Sequence, residues 1–303
     1  MPNIRKQALI WVSVYLFLLI SLLTPLGILT ISMMTIPVIV LFMIMRIKSF
    51  IIYQLIMHTV LLIFTVAWPP GIFMTLISLY FVIGASAMGY FYKKKSSAAS
   101  VIAIGTVVFL GELLLVLVIS AGLGLNLIEQ YSALIKQSLE STQPLWNVSN
   151  SATEMEQMAA TMAQMVPMFM IIFALFYAWI THAIGRKLLS RTEMAIPALK
   201  PFKDWMIPKS WGWFYVAALL LEVLLPMDPS SVLTVILLNL LPLLMLAFSI
   251  QGLSFLYYVS DAKGWGHVLP AVGVVLFVFL SYFLSFLGII DTSFNLRGRI
   301  KKH

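Results

Sequence analysis

The chain contains no cysteine in 303 residues. That excludes a disulfide framework, a thiolate nucleophile and thiolate metal ligands. Charge is also scarce, at 10% of residues, against roughly 25% in a soluble domain. No polar stretch approaches the ~50 residues that a small soluble domain needs. The sequence has no GxxxxGK followed by Ser or Thr, no HExxH and no GxSxG, so P-loop, zincin and nucleophile-elbow chemistry lose their signatures. The histidines His58, His182, His267 and His303 are scattered and build no local metal site. Acidic residues are too few and too separated for a paired acid–base site. The chain reads as a non-enzyme with no metal site and no cofactor.

What is abundant is apolar surface, at 61% of residues. A core of this chain's own cannot hide so much, so the expected fold class is an all-α, polytopic transmembrane helix bundle of about 8–9 spans. A span needs about 20 apolar residues. Nine segments qualify: 8–24, 28–45, 50–67, 71–92, 98–121, 166–185, 211–226, 230–259 and 267–290. The Pro/Gly turns "TPLG" and "WPPG" separate the early ones. Trp68, Trp179, Trp211 and Trp213 lie near span ends, where indole rings favour the headgroup layer. The first segment reads as a retained helix, because no small-residue cleavage site follows it.

The net charge of +8 falls beside the spans, so it reads as membrane anchoring and not as nucleic-acid binding. Arg5 and Lys6, Arg46 and Lys48, Lys93 to Lys95, and the basic run from Arg186 to Lys209 occupy alternate connections. These are the expected cytoplasmic sides, with the N-terminus inside the cell membrane. Nine spans place the basic tail "RGRIKKH" outside, against that rule. A segment 211–226 lying along the interface would place it inside; its hydrophobicity favours spanning. The expected organisation is a six-helix membrane domain over 1–190 with its outer loop 122–165, a basic linker over 191–210, and a two- or three-helix extension over 211–303.

The outer loop contains "SATEMEQMAATMAQM", which predicts a helix. Ser151 with Glu154, or Thr153 with Glu156, matches a capping box. Met155, Met158, Met162 and Met165 then share a face. With no His or Cys beside them they read as apolar filler against a bundle or membrane, in preference to a Cu(I) site. Asn147-Val148-Ser149 fits the glycosylation pattern, which matters only in a eukaryotic secretory route.

The remaining signal is polar groups inside spans. Glu112 sits alone in "VIAIGTVVFLGELLLVLVISAGLG". An ionised carboxylate costs about 2.5–3.5 kcal/mol at a helix centre, so it should face the bundle interior or a wet cavity. Gly105, Phe109 and Glu112 share a face, and Gly111 beside them permits close backbone approach. Glu112 reads either as a ligand-binding or proton-carrying group, or as a carboxylate tying helices together. Gln54 and His58 lie four apart, on one face, and read as inter-helix hydrogen-bonding groups or as ligand contacts. Ala85 and Gly89 form a small-xxx-small pair. The candidate ligand-binding residues are therefore Glu112, Phe109, Gln54 and His58.

The stretches "QGLSFLYYVSDAKGW" at 251–265 and "LGIIDTSFNLRGR" at 287–299, with the length and hydropathy, resemble the YybS-like family of bacterial membrane proteins. The first six spans are similar to S components of energy-coupling-factor transporters, in the turn "TPLGILTISMMTIPVIV" and the basic loop after the fourth span. Those proteins carry small residues on the first helix for docking; this chain has Ala8 followed by Val12. The resemblance implies small-molecule or lipid binding from the outer side, as part of transport. The alternative is a scaffold or assembly factor for an envelope protein complex. Expected partners are the lipid bilayer, a small-molecule ligand and a membrane-protein partner, with no nucleic acid.

Overall fold

The structure, a computed structural model, describes residues 2–67, 70–146, 152–190, 196–225, 228, 231–266, 268–294 and 296–300. Among these every regular element is helical. In order they are α1 (Pro2–Ser21), α2 (Gly27–Thr30), α3 (Thr35–Ile44), α4 (Ile47–Ala67), α5 (Pro70–Lys93), α6 (Ala98–Gly122), α7 (Leu127–Trp146), α8 (Ala152–Gln164), α9 (Val166–Leu189), α10 (Lys209–Leu224), α11 (Val232–Lys263), α12 (Val268–Phe279) and α13 (Ser281–Phe294). Short 3-10 turns cover Ile31–Met33, Phe202–Asp204 and Leu296–Arg299. Trp68, Asn147-Val148-Ser149, Ser151, His267 and His303 lie outside the described residues.

Local chemistry sets several boundaries. Ser97 caps α6 by accepting the Ser100 amide at 3.2 Å. Pro167 sits in the first turn of α9, where its missing N–H costs no helical bond. The next free amide, Met168 N–H, donates to Asn239 Oδ1 at 2.8 Å.

Five helical segments among the described residues are long and apolar enough to cross a membrane: Gly27–Ile44, Gly71–Lys93, Ala98–Gly122, Val166–Leu189 and Val232–Lys263. The expected span 8–24 lies in α1, which carries Arg5 and Lys6 in its first turns, and 50–67 lies in α4. Segment 211–226 begins within α10, whose 16 residues extend about 24 Å. Segment 267–290, expected as one span, is two helices bent by 119°. Neither half is long enough to cross ~30 Å of hydrocarbon.

The chain divides into two compact units, Met1–Leu125 with Met170–Leu199, and Asn126–Phe169 with Lys200–His303. The loop segment from Asn126 onwards thus packs with the C-terminal helices, whereas the sequence groups it with 1–190. The stretch 200–208, read as part of a linker, is fastened to α11. Ser254 Oγ donates to the carbonyls of Phe202 at 2.7 Å and Trp205 at 3.2 Å.

The first unit has a core of α1, α3, α5, α6 and α9 around Tyr15, Ile39, Phe81, Met88, Phe109 and Tyr177, each essentially without exposure. The Thr181 hydroxyl bonds Thr35 Oγ1 at 2.6 Å across α3 and α9. In the second unit Tyr215, Leu237, Leu241, Leu244 and Phe248 pack together, with the Tyr215 and Phe248 rings stacked at 5.5 Å. Here α7 lies on α8, where Lys136 and Glu156 pair at 3.5 Å. The Met stripe needs correction: Met155 is buried with Ala159 and Ala163, while Met158 and Met162 are exposed. Residues four apart line the inward face, and the two Ala let the helix approach closely.

Candidate functional site

α6 is mostly unburied within its unit. Its inward stripe is Ala98, Val101, Ile102, Gly105 and Phe109, and Glu112 continues it at helical spacing. Both Glu112 carboxylate oxygens are buried and neither has a hydrogen-bond partner. One turn away Phe109 enters a cluster of rings. Its centroid lies 5.3 Å from that of Tyr80 on α5 and 6.0 Å from that of Tyr177 on α9. Phe173 closes on Tyr177 at 4.6 Å. The ring needs Gly84 opposite: a Cβ there would fall 2.0 Å from Phe109. Gly111, expected to permit close approach, faces open space. The Tyr80 hydroxyl is a second buried group without a partner.

A separate cleft of about 560 Å³ opens between α3, α4 and α5. Phe42, Phe50, Ile51, Val82 and Ile83 make its lining mainly apolar, and Gln54, His58 and Ser86 are its amide, imidazole and aliphatic hydroxyl groups. His58 is occupied. Its Nδ1–H donates to the Gln54 carbonyl at 2.8 Å, and Nε2 bonds Ser78 Oγ at 2.9 Å. Ser78 Oγ in turn bonds the Tyr15 hydroxyl at 2.7 Å, so the chain of contacts ties α4, α5 and α1. Gln54 Oε1 and Ser86 Oγ, by contrast, are buried with no partner.

The second unit carries a third polar centre. Asp291 on α13 is fully buried and Arg297 nearly so. Arg297 Nη2 and Nε donate to Asp291 Oδ2 at 2.9 and 3.0 Å. Gln251 Nε2 donates to the same oxygen at 2.6 Å, while Gln251 Oε1 accepts the Ile207 amide at 3.0 Å. The guanidinium also donates to the Lys203 carbonyl and to Ser254 Oγ, and lies 5.3 Å over the Tyr258 ring. Beside it Lys203 donates to Asp261, and this hydrogen bond raises the Lys203 pKa above its ordinary value. A buried ion pair with this many hydrogen bonds reads as a structural clasp between α11, α13 and the stretch after Pro201.

The family described as "Predicted membrane protein (DUF2232)" matches residues 11–292. The chain belongs to this family. It is 26% identical over 226 residues to "Uncharacterized protein YybS" of Bacillus subtilis (strain 168), covering 71% of this chain and 72% of the relative. No solved structure matches, and none of the comparisons shows a similarity to S components.

In this DUF2232 protein the four sequence candidates separate into two places. Phe109 and Glu112 share the ring cluster between α5 and α6. Gln54 and His58 share the cleft on the other side of α5. Tyr80 and Ser86 went unnoticed because a lone Tyr or Ser is ordinary in an apolar helix. The Asp291 clasp was also missed, although its residues stand inside the two stretches that carry the family resemblance. A carboxylate within "LGIIDTSF" was the available signal.

Proposed function

We propose that this membrane protein is a non-enzymatic binder of a lipid or lipid-like small molecule, taken up in the cleft between α3, α4 and α5. The observation that carries the reading is the largely apolar cleft, behind whose lining Gln54 Oε1 and Ser86 Oγ are enclosed without a partner and need a turn of the side chain to meet a ligand. A buried carbonyl oxygen without a donor is costly, and a ligand donor removes that cost. The ligand therefore presents a hydroxyl or amine at one end and hydrocarbon along the rest. The cleft volume falls within the range of roughly 300–1,000 Å³ typical of small-molecule sites. The similarity of the first six spans to S components supports uptake from the outer side, with the N-terminus in the cytoplasm.

Native mass spectrometry of protein purified in mild detergent tests this. The wild type should retain a small-molecule adduct. Ile83→Trp fills the cleft from its rim and should abolish the adduct. Ser86→Ala removes one hydrogen bond of ~0.5–1.5 kcal/mol and should weaken retention roughly two- to tenfold. Absence of an adduct, or one indifferent to Ile83→Trp, overturns the reading. A co-purifying membrane protein in place of the adduct supports the scaffold alternative.

A further inference from the structure

We propose that Glu112 and Tyr80 form a proton-binding site between α5 and α6, in which Glu112 is held as the carboxylic acid. The inference is independent of the lipid cleft, which Glu112 does not line. Its basis is geometric. Both Glu112 oxygens are enclosed without a partner, and the Tyr80 hydroxyl is enclosed without one as well. Both residues border the Phe109 ring: the Tyr80 ring centroid lies 5.3 Å from it, and Glu112 follows it one turn along α6.

An ionised carboxylate offers about four acceptor sites and asks for donors. The cluster supplies rings. Among the described residues the titratable groups of the ring cluster beside Phe109 are Tyr80 from α5 and Tyr177 from α9. The Tyr177 hydroxyl donates to the Ile31 carbonyl at 3.2 Å. No described Lys, Arg or His pairs with Glu112. A charge left there would bear the full cost of an unpaired ion in an apolar medium. Protonation removes that charge and turns the group into a donor that one acceptor satisfies. The Tyr80 oxygen, likewise enclosed and without a partner on the neighbouring helix, is the acceptor we assign to it.

The other occupants fit less well. A metal cation would seek several oxygen ligands, and among the described residues no three acidic or histidine side chains cluster. A molecule would need space, but the Tyr80, Phe109, Phe173 and Tyr177 rings pack with centroids 4.6 to 6.3 Å apart, which is ring contact. A proton needs no volume.

The test uses the full chain in proteoliposomes. Dicyclohexylcarbodiimide reacts from the apolar phase with carboxylic acids and spares carboxylates. Peptide mass spectrometry should locate its adduct on Glu112 at neutral pH, with Asp291 unmodified because Arg297 and Gln251 occupy its carboxylate. Above the titration midpoint the adduct yield should fall about tenfold per pH unit, as for one proton. Infrared spectra of the wild type at neutral pH should contain a carboxylic-acid C=O band that Glu112→Gln removes. The wild-type band and adduct remain decisive if the variant does not fold. A wild-type spectrum with carboxylate bands alone overturns the proposal. So does protection of Glu112 by added sodium, which would reveal a metal occupant.

Discussion

Asp291 and Arg297 show how much one residue can depend on another in this chain. Asp291 has no exposure, and its carboxylate is held by the guanidinium and by Gln251. Replacing one member of a buried pair leaves the other charged, buried and unsatisfied, at about 3–5 kcal/mol. Asp291→Leu should therefore lower thermal stability sharply, read as monodisperse protein surviving heat in detergent. Asp291→Leu with Arg297→Met should recover part of the loss, because no lone charge remains. A single variant as stable as the wild type would remove the clasp from the account. The clasp was hidden from the sequence for a physical reason. Gln251 and Asp291 are 40 residues apart, and Arg297 reaches back from the turn Leu296–Arg299 beyond the end of α13. Neither separation is a helical neighbour spacing. Glu112 was legible because a carboxylate in an apolar run is expensive wherever it points.

At the scale of elements, α11 and α13 meet through glycine. A Cβ on Gly252 would fall 2.2 Å from the Leu284 carbonyl oxygen, and one on Gly288 would fall 2.0 Å from that of Phe248. Backbone cannot step aside as a flexible side chain can, so either Ala must push the helices apart. That separation would also break the bond from Ser249 Oγ to the Ser281 carbonyl, now 2.8 Å. Gly288→Ala should expose α13 to proteolysis and lower the melting temperature. Gly111→Ala is the control: its site on α6 is open, and Ala in a helix is better than Gly by about 0.5–1 kcal/mol. It should be neutral or mildly stabilising. If both variants behave alike, the close crossing is not what holds α13. The helices themselves were legible from apolar length and from the Pro/Gly turns. The bend at Leu280 was not, because "FVFLSYF" contains no proline or glycine to announce it.

For the whole molecule the open issue in the sequence was the side of the basic tail, and contacts along α11 address it. Asn239 holds the α8–α9 junction through the Gln164 carbonyl and the Met168 amide, both at 2.8 Å. Ser254, about 22 Å further along the helix, holds the stretch after Pro201. These two stretches therefore attach towards opposite ends of α11. α13 runs in the same direction as α11, from Ser281 beside Ser249 to Arg297 beside Ser254, and the Tyr258 hydroxyl donates to the Arg297 carbonyl at 3.2 Å. From Lys263 back to Ser249 is about 21 Å along the helix, less than the ~30 Å hydrocarbon core. The bent pair α12–α13 thus runs back along α11 and returns towards its Lys263 end, the path of a re-entrant segment. A crossing there would strand Arg297 away from Lys203. The earlier conflict between nine spans and the charge rule disappears if 267–290 is re-entrant, since the tail then stays with the basic stretch 200–209. Cysteines introduced singly at Ser210 and Gly298 should label from the same face of the membrane, the cytoplasmic one by the charge rule. A cysteine at Ser141 should label from the opposite face. Labelling of the Gly298 position together with that of Ser141 would mean that the bent pair crosses, and the re-entrant assignment would fall.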